Sequence, residues 1–146
     1  MNGWAVAAIA AAAAFTSGVV FFAATRIPRW RRMEASPFLS DFAKTIAVAD
    51  KVQPALLLIA IGSTVMLIAS SNGVGEQLAL GALVGFVLTM LGSVLFLVPL
   101  QRRMIHRGPE AMGLSTMRSV WLRGHLARTA LSAVSLAMLI AGVGLS

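Results

Sequence analysis

Apolar residues run along this chain in four long blocks, and nearly all of the charge lies between them. Residues 1–25, 52–75, 77–101 and 129–146 contain no Asp, Glu, Lys or Arg. A hydrocarbon core about 30 Å thick takes roughly 20 residues of helix to cross. The first and third blocks reach that length outright. The second is interrupted by Pro54 and closes on Ser70-Ser71-Asn72-Gly73, which leaves roughly 18 core residues, still enough to span. The fourth borrows from residues 121–128, whose Arg side chains can snorkel to the interface. No block alternates polar and apolar residues as a barrel strand does, and abundant Ala and Leu favour helix. The pattern predicts an all-α fold, a four-transmembrane-helix bundle with spans at about 3–25, 54–71, 77–100 and 121–144. The whole chain, 1–146, reads as a single integral membrane domain. The first block has no basic stretch ahead of it and outruns a signal-peptide core, so it reads as a span and not as a cleaved leader.

The segments between the blocks differ in kind. Ser36-Pro37 has the look of a helix start, with Ser at the cap and Pro in the first turn. From there Phe38, Phe42, Ile46 and Ala49 recur at helical spacing, while Asp41, Lys44, Asp50 and Lys51 lie largely elsewhere around the helix. This predicts a short amphipathic helix on the cytoplasmic face between spans one and two, leading into span two at Pro54. It is either an interface anchor or a lid over a site in the bundle. Gly108-Pro109 and Gly113 mark residues 104–117 as an exposed loop.

Composition agrees with the spans. The chain is 58% hydrophobic and 12% charged, with a mean hydropathy of +0.86, whereas soluble domains are about a quarter charged. That excludes a soluble globule, a disordered chain and a fibrous repeat. The absence of Cys excludes disulfides, thiolate catalysis and Cys-ligated metals. All twelve Lys and Arg residues fall in two segments, six at 26–51 and six at 102–128. By the positive-inside rule, loops 26–53 and 101–120 are cytoplasmic and both termini are outside. The Ala- and Arg-rich composition fits a bacterial inner (plasma) membrane protein. The pI near 11.8 then reports topology charges beside lipid headgroups. The partners expected are membrane lipids and no nucleic acid.

Span three carries Gly81, Gly85, Thr89 and Ser93 at steps of four, a small-residue face that admits a close neighbour. The Gly81/Gly85 face serves either as a homo-oligomer seam or as a contact inside the bundle, with residues 10–14 of span one a matching smooth surface. Pro99, at the end of span three, would free the carbonyl of Leu95 one turn earlier.

The most informative pattern is Arg118, Trp121, His125, Arg128, Ser132 and Ser135. Steps of three and four put all six on one helix face. Polar residues at membrane depth normally face a bundle interior or a wet cavity. Against this, Arg118 and Trp121 suit interface anchoring, and Ser132 and Ser135 suit small-residue packing. His125 and Arg128, the deepest, resist that reading. Arg26 and Trp30 close span one, Gln53 opens span two, and Gln101, Arg102 and Arg103 close span three at the same level. Together they outline a pocket with an apolar floor, guanidiniums, indoles and one imidazole. Arg can hold a phenolate or enolate by charge-assisted hydrogen bonds. Trp can stack on a ring, and His125 is the deep group whose ordinary titration range suits a general base. The predicted ligand is a hydrophobic aromatic small molecule. No metal and no cofactor is predicted, since His106 and His125 lie far apart and no metal-ligand spacing occurs. Gly73-Val74-Gly75 lacks the rest of a nucleotide loop.

Three segments resemble the anthrone oxygenase-like family of small four-helix membrane proteins, most of whose bacterial members are known only as a domain of unknown function. They are Gly18-Val19-Val20-Phe21-Phe22 running into Arg26-Ile27-Pro28, then Val98-Pro99-Leu100-Gln101-Arg102-Arg103, then Trp121-Leu122-Arg123-Gly124-His125-Leu126-Ala127-Arg128-Thr129. A related outline among copper-resistance and haem-pathway membrane proteins carries a His in its first span, which this chain lacks. The resemblance implies cofactor-independent oxidation of a polycyclic aromatic or quinone-like compound by dioxygen. In that scheme His125 removes an acidic ring proton, Arg128 and Arg102 hold the enolate oxygen, Gln101 orients it and Trp121 stacks on the ring. Arg26, Trp30 and Gln53 complete the binding set. The competing reading is a non-enzymatic module that binds a lipid or a partner protein through its basic cytoplasmic face. The lack of a carboxylate in the expected pocket favours that reading. A carrier function would want ionisable groups at the midplane, where the spans have none.

Overall fold

The computed structural model describes residues 1–71 and 73–146; Asn72, at the predicted end of span two, lies outside the described residues. Among the described residues, four helices are each long and apolar enough to cross a membrane: α1 (Gly3–Arg32), α2 (Ala35–Ala69), α3 (Val74–Arg107) and α4 (Leu114–Gly144). They hold 30, 35, 34 and 31 residues. At about 1.5 Å per residue each exceeds what a core about 30 Å thick requires. The surplus lies at the end that carries the Arg and Lys residues.

That surplus corrects the expected loops. No separate amphipathic helix stands between the first two spans. Residues 35–69 form one helix that runs through Pro54. Pro54 withholds a single hydrogen bond, from the carbonyl of Asp50, and an unbroken helix satisfies the other backbone groups. Only Met33 and Glu34 separate α1 from α2, so the amphipathic stretch stands alongside α1. Its apolar spacing still decides what it buries. Phe38, Phe42 and Ile46 pack in a cluster that includes Ile27, Trp30, Trp121 and Leu122, and Ala49 is buried beside it. Likewise, α3 continues to Arg107, and the turn to α4 spans only 108–113. Gly108 (φ 80°) and Gly113 (φ 76°) bound that turn, in the left-handed region that side chains disfavour.

Pro99 reshapes α3. Its missing N–H cannot serve the Leu95 carbonyl, and the turn over Ser93–Leu97 widens to a π-helix, with the Val98 N–H bonding the Ser93 carbonyl. The inward positions Thr89, Ser93, Leu97 and Gln101 are spaced by four. On a regular helix each such step drifts about 40°, and one extra residue in a turn corrects about 100°. The wide turn thereby keeps Ser93 and Gln101 on one face.

The Gly81/Gly85 face packs inside the chain, on α4. A Cβ at Gly81 would meet the methyl end of Met138, and one at Gly85 would meet Ser135. At the other end of the same contact, a Cβ at Gly75 would meet the carbonyl oxygen of Gly142, and a Cβ at Gly142 would lie 2.8 Å from the carbonyl oxygen of Gly75. Met138 can move aside, whereas backbone cannot. Gly75→Ala and Gly142→Ala are each expected to cost about 1–3 kcal/mol by overpacking. Gly81→Ala is expected to cost clearly less. Thermal unfolding of the detergent-solubilised protein checks the order, and equal melting points would refute it.

Candidate functional site at the basic end of the bundle

The polar face of α4 turns inward. Trp121, His125, Ser132 and Ser135 are buried, His125 to 1% exposure. Ser132 and Ser135 bond back to the carbonyls of Arg128 and Leu131 and act as small packing residues. Arg118 donates to the Met33 carbonyl at 2.9 Å and lies over the ring of Phe38, which fastens α4 to the end of α1.

Arg128 is the hub. Its guanidinium donates to Ser93 Oγ at 3.2 Å, to Gln53 Oε1 at 3.0 Å and to His125 Nδ1 at 3.2 Å. Guanidinium groups only donate, so Nδ1 is the acceptor. His125 Nε2 then carries the hydrogen and donates to the Val19 carbonyl at 3.2 Å. Both ring nitrogens are engaged and one tautomer is assigned. Trp121 stacks on the imidazole, with ring centroids 5.3 Å apart and planes 21° apart. Phe42 meets Trp121 edge-on, and Trp30 packs against both.

Two carboxylates expected on the outer face of the amphipathic stretch turn toward the bundle. Asp41 accepts from the Trp30 indole at 2.7 Å and pairs with Arg26 at 3.4 Å. Asp50 accepts from Gln101 Nε2 at 2.8 Å and lines the central cavity, where no carboxylate was expected. The signal was its spacing of three from Gln53, which puts both on one helix face.

Trp30, Gln53, Gln101, Trp121, His125 and Arg128, all predicted, converge with Asp50 and Phe22 around a cavity of about 30 Å³. That is room for about two water molecules. A second cavity of about 70 Å³ lies across Gln53 and Arg128, against Phe15 and Pro54. Two predicted residues stay outside both. Arg102 is exposed, and Arg26 is held by Asp41. Ser93, first read as a packing residue, belongs to the site because the π turn brings it there. Among the described residues three buried polar side-chain atoms have no partner: Trp121 Nε1 and Arg128 Nε, both on residues that line the central cavity, and Thr16 Oγ1, on a residue that does not. Among the described residues, no three His, Asp or Glu side chains gather as a metal site. No known protein family, curated protein or solved structure matches this chain.

The two indoles make a contrast. The Trp30 N–H has Asp41, while the Trp121 N–H has nothing. Trp30→Phe strands a carboxylate oxygen and is expected to cost about 1–3 kcal/mol beyond the lost packing. Trp121→Phe removes an unsatisfied donor and is expected to destabilise less. Chemical or thermal unfolding in detergent decides between them.

Proposed function

We propose that this chain is a multi-pass membrane protein whose basic-end site binds a membrane-soluble aromatic or quinone-like compound through an oxygen atom, and oxidises it as the anthrone oxygenase-like resemblance implies. The observation that carries the reading is the pair of buried donors without acceptors beside the cavity, Trp121 Nε1 and Arg128 Nε. Donors fixed in place before an oxyanion arrives are what stabilises developing charge most strongly.

The reaction balances without a further reductant. A ring CH₂ conjugated through the ring system to a carbonyl loses a proton to a base and leaves an enolate. The carbanion carbon bonds to dioxygen, and the resulting hydroperoxide loses water to give a second carbonyl. The His125 lone pair at Nδ1 is occupied by Arg128, so it becomes a base when the guanidinium shifts to the ligand oxygen. Gln53 and Ser93 hold the guanidinium through that exchange. Gln101, fixed by Asp50, faces the same space. Arg128 takes the oxygen-holding role alone, since Arg102 lines neither cavity.

The alternative, a non-enzymatic membrane module, is favoured by the volume of about 30 Å³, smaller than any ring system. Turnover separates the two. Vesicles containing the protein are expected to show anthrone-dependent dioxygen uptake above empty vesicles. Arg128→Gln should lower it by about a hundredfold. Unchanged uptake in His125→Ala would remove the base role, and no uptake by the wild type would leave the binding module.

The positive-inside orientation completes the proposal, with the Arg-bearing end in the cytoplasm. The chain has no Cys, so single cysteines report cleanly. In intact cells, Ser146→Cys should react with a membrane-impermeant maleimide, and Ser115→Cys only after permeabilisation. The reverse pattern would invert the topology.

A further inference from the structure

The two interior cavities are too small for an aromatic ring, but a third space reaches the same guanidinium from the side. A groove of about 300 Å³ runs between α3 and α4 where the π turn widens the backbone, and Arg128 lies at its floor. Its walls include Leu88, Phe96, Ala127 and Leu131, and Arg128 is the one charged residue lining it. Phe96 and Leu88 are 72% and 52% exposed on an outer face that the span assignment turns to lipid.

We propose that this groove seats the ligand, its ring at Arg128 and its apolar tail along the groove walls, so that the compound is a tailed amphiphile, an oxygen-bearing ring on an acyl or isoprenoid chain, and reaches Arg128 from the bilayer. The inference rests on the binding reading above and gives it a ligand class and a route. Two observations select this occupant over a plain lipid chain. Arg128 hydrogen-bonds only uncharged partners (Ser93, Gln53 and His125), and Asp50, the carboxylate beside it in the interior cavities, does not line the groove, so the guanidinium favours an electron-rich oxygen there. Its Nε is buried without an acceptor, which an aliphatic chain cannot supply.

Glycine keeps the groove open. A Cβ built at Gly92 meets no atom within 4 Å, so a larger side chain there fills the groove without disturbing the bundle. Gly62, on α2, is equally free of neighbours and lies outside the groove, which makes it the control.

The test uses decylubiquinone and the same dimethoxybenzoquinone ring without its tail, with binding read as quenching of tryptophan fluorescence in nanodiscs. Trp4→Phe, at the opposite end of the bundle, lowers the background. The tailed quinone is expected to bind at least about tenfold more tightly than the bare ring, since burial of a few methylene groups suffices for that factor. Gly92→Leu should remove most of this advantage and leave the melting temperature unchanged. Gly62→Leu should alter neither ligand, and Arg128→Gln should weaken both. If Gly92→Leu leaves decylubiquinone binding intact while Arg128→Gln abolishes it, the groove assignment is overturned and the site reading stands. If neither quinone quenches the wild type, the oxygen-binding reading itself fails and the groove assignment with it.

Discussion

A guanidinium inside an apolar bundle must be hydrogen-bonded by its surroundings, and here that requirement reaches every helix. Arg128 stands on α4. Ser93 comes from α3 and Gln53 from α2, and His125 relays the contact to a backbone carbonyl on α1. Each partner is placed by a separate local feature. Ser93 and Gln101 share a face because Pro99 forces the wide turn. Gln53 points inward because α2 passes straight through Pro54. His125 is oriented by its bond to Val19 and by the Trp121 ring stacked on it. A buried polar network of this kind is stable when its members are satisfied and costly when they are not. The unpartnered Nε of Arg128 and Nε1 of Trp121 are therefore the exceptions that need a reason, and the proposed oxygen ligand would supply one.

Beneath the network lies a layer that keeps it rigid. Trp30, Phe38, Phe42 and Trp121 interlock with centroids 4.9–6.1 Å apart, within the range of favourable aromatic pairing. Asp41 ties the Trp30 indole to Arg26, and Arg118 ties α4 to the end of α1. The helical surplus beyond a bilayer's thickness is what carries this layer. Had the chain broken into an interfacial helix at Pro54, Phe42 would lie along the membrane surface and Trp121 would lose its edge-on neighbour.

Much of this was legible in the sequence. Charge-free blocks identify the spans because a bilayer tolerates little else. The face shared by Trp121, His125 and Arg128 follows from spacing alone, and convergence with Trp30, Gln53 and Gln101 follows from both basic segments lying at one end. What was not legible depends on rotation about a helix axis. Arg102 adjoins Gln101 in sequence but points about 100° away, into the open. Asp41 and Asp50 turn toward the bundle because Trp30 and Gln101 offer them donors. Apolar periodicity says nothing about such pairs. The π turn is written only as a proline, and its effect on Ser93 appears once the bulge is counted.

In the proposed reading, a confined interior site is reached through the lateral groove. The interior cavity is about a tenth the size of the lateral groove, 30 against 300 Å³, yet Arg128 lines both. A ligand oxygen that reaches the groove floor competes with His125 Nδ1 for a guanidinium N–H. Winning that competition leaves the imidazole lone pair free, beside Trp121 and within reach of the interior cavity. In the proposed reading, ring binding and exposure of a base are thus one exchange of hydrogen bonds at Arg128.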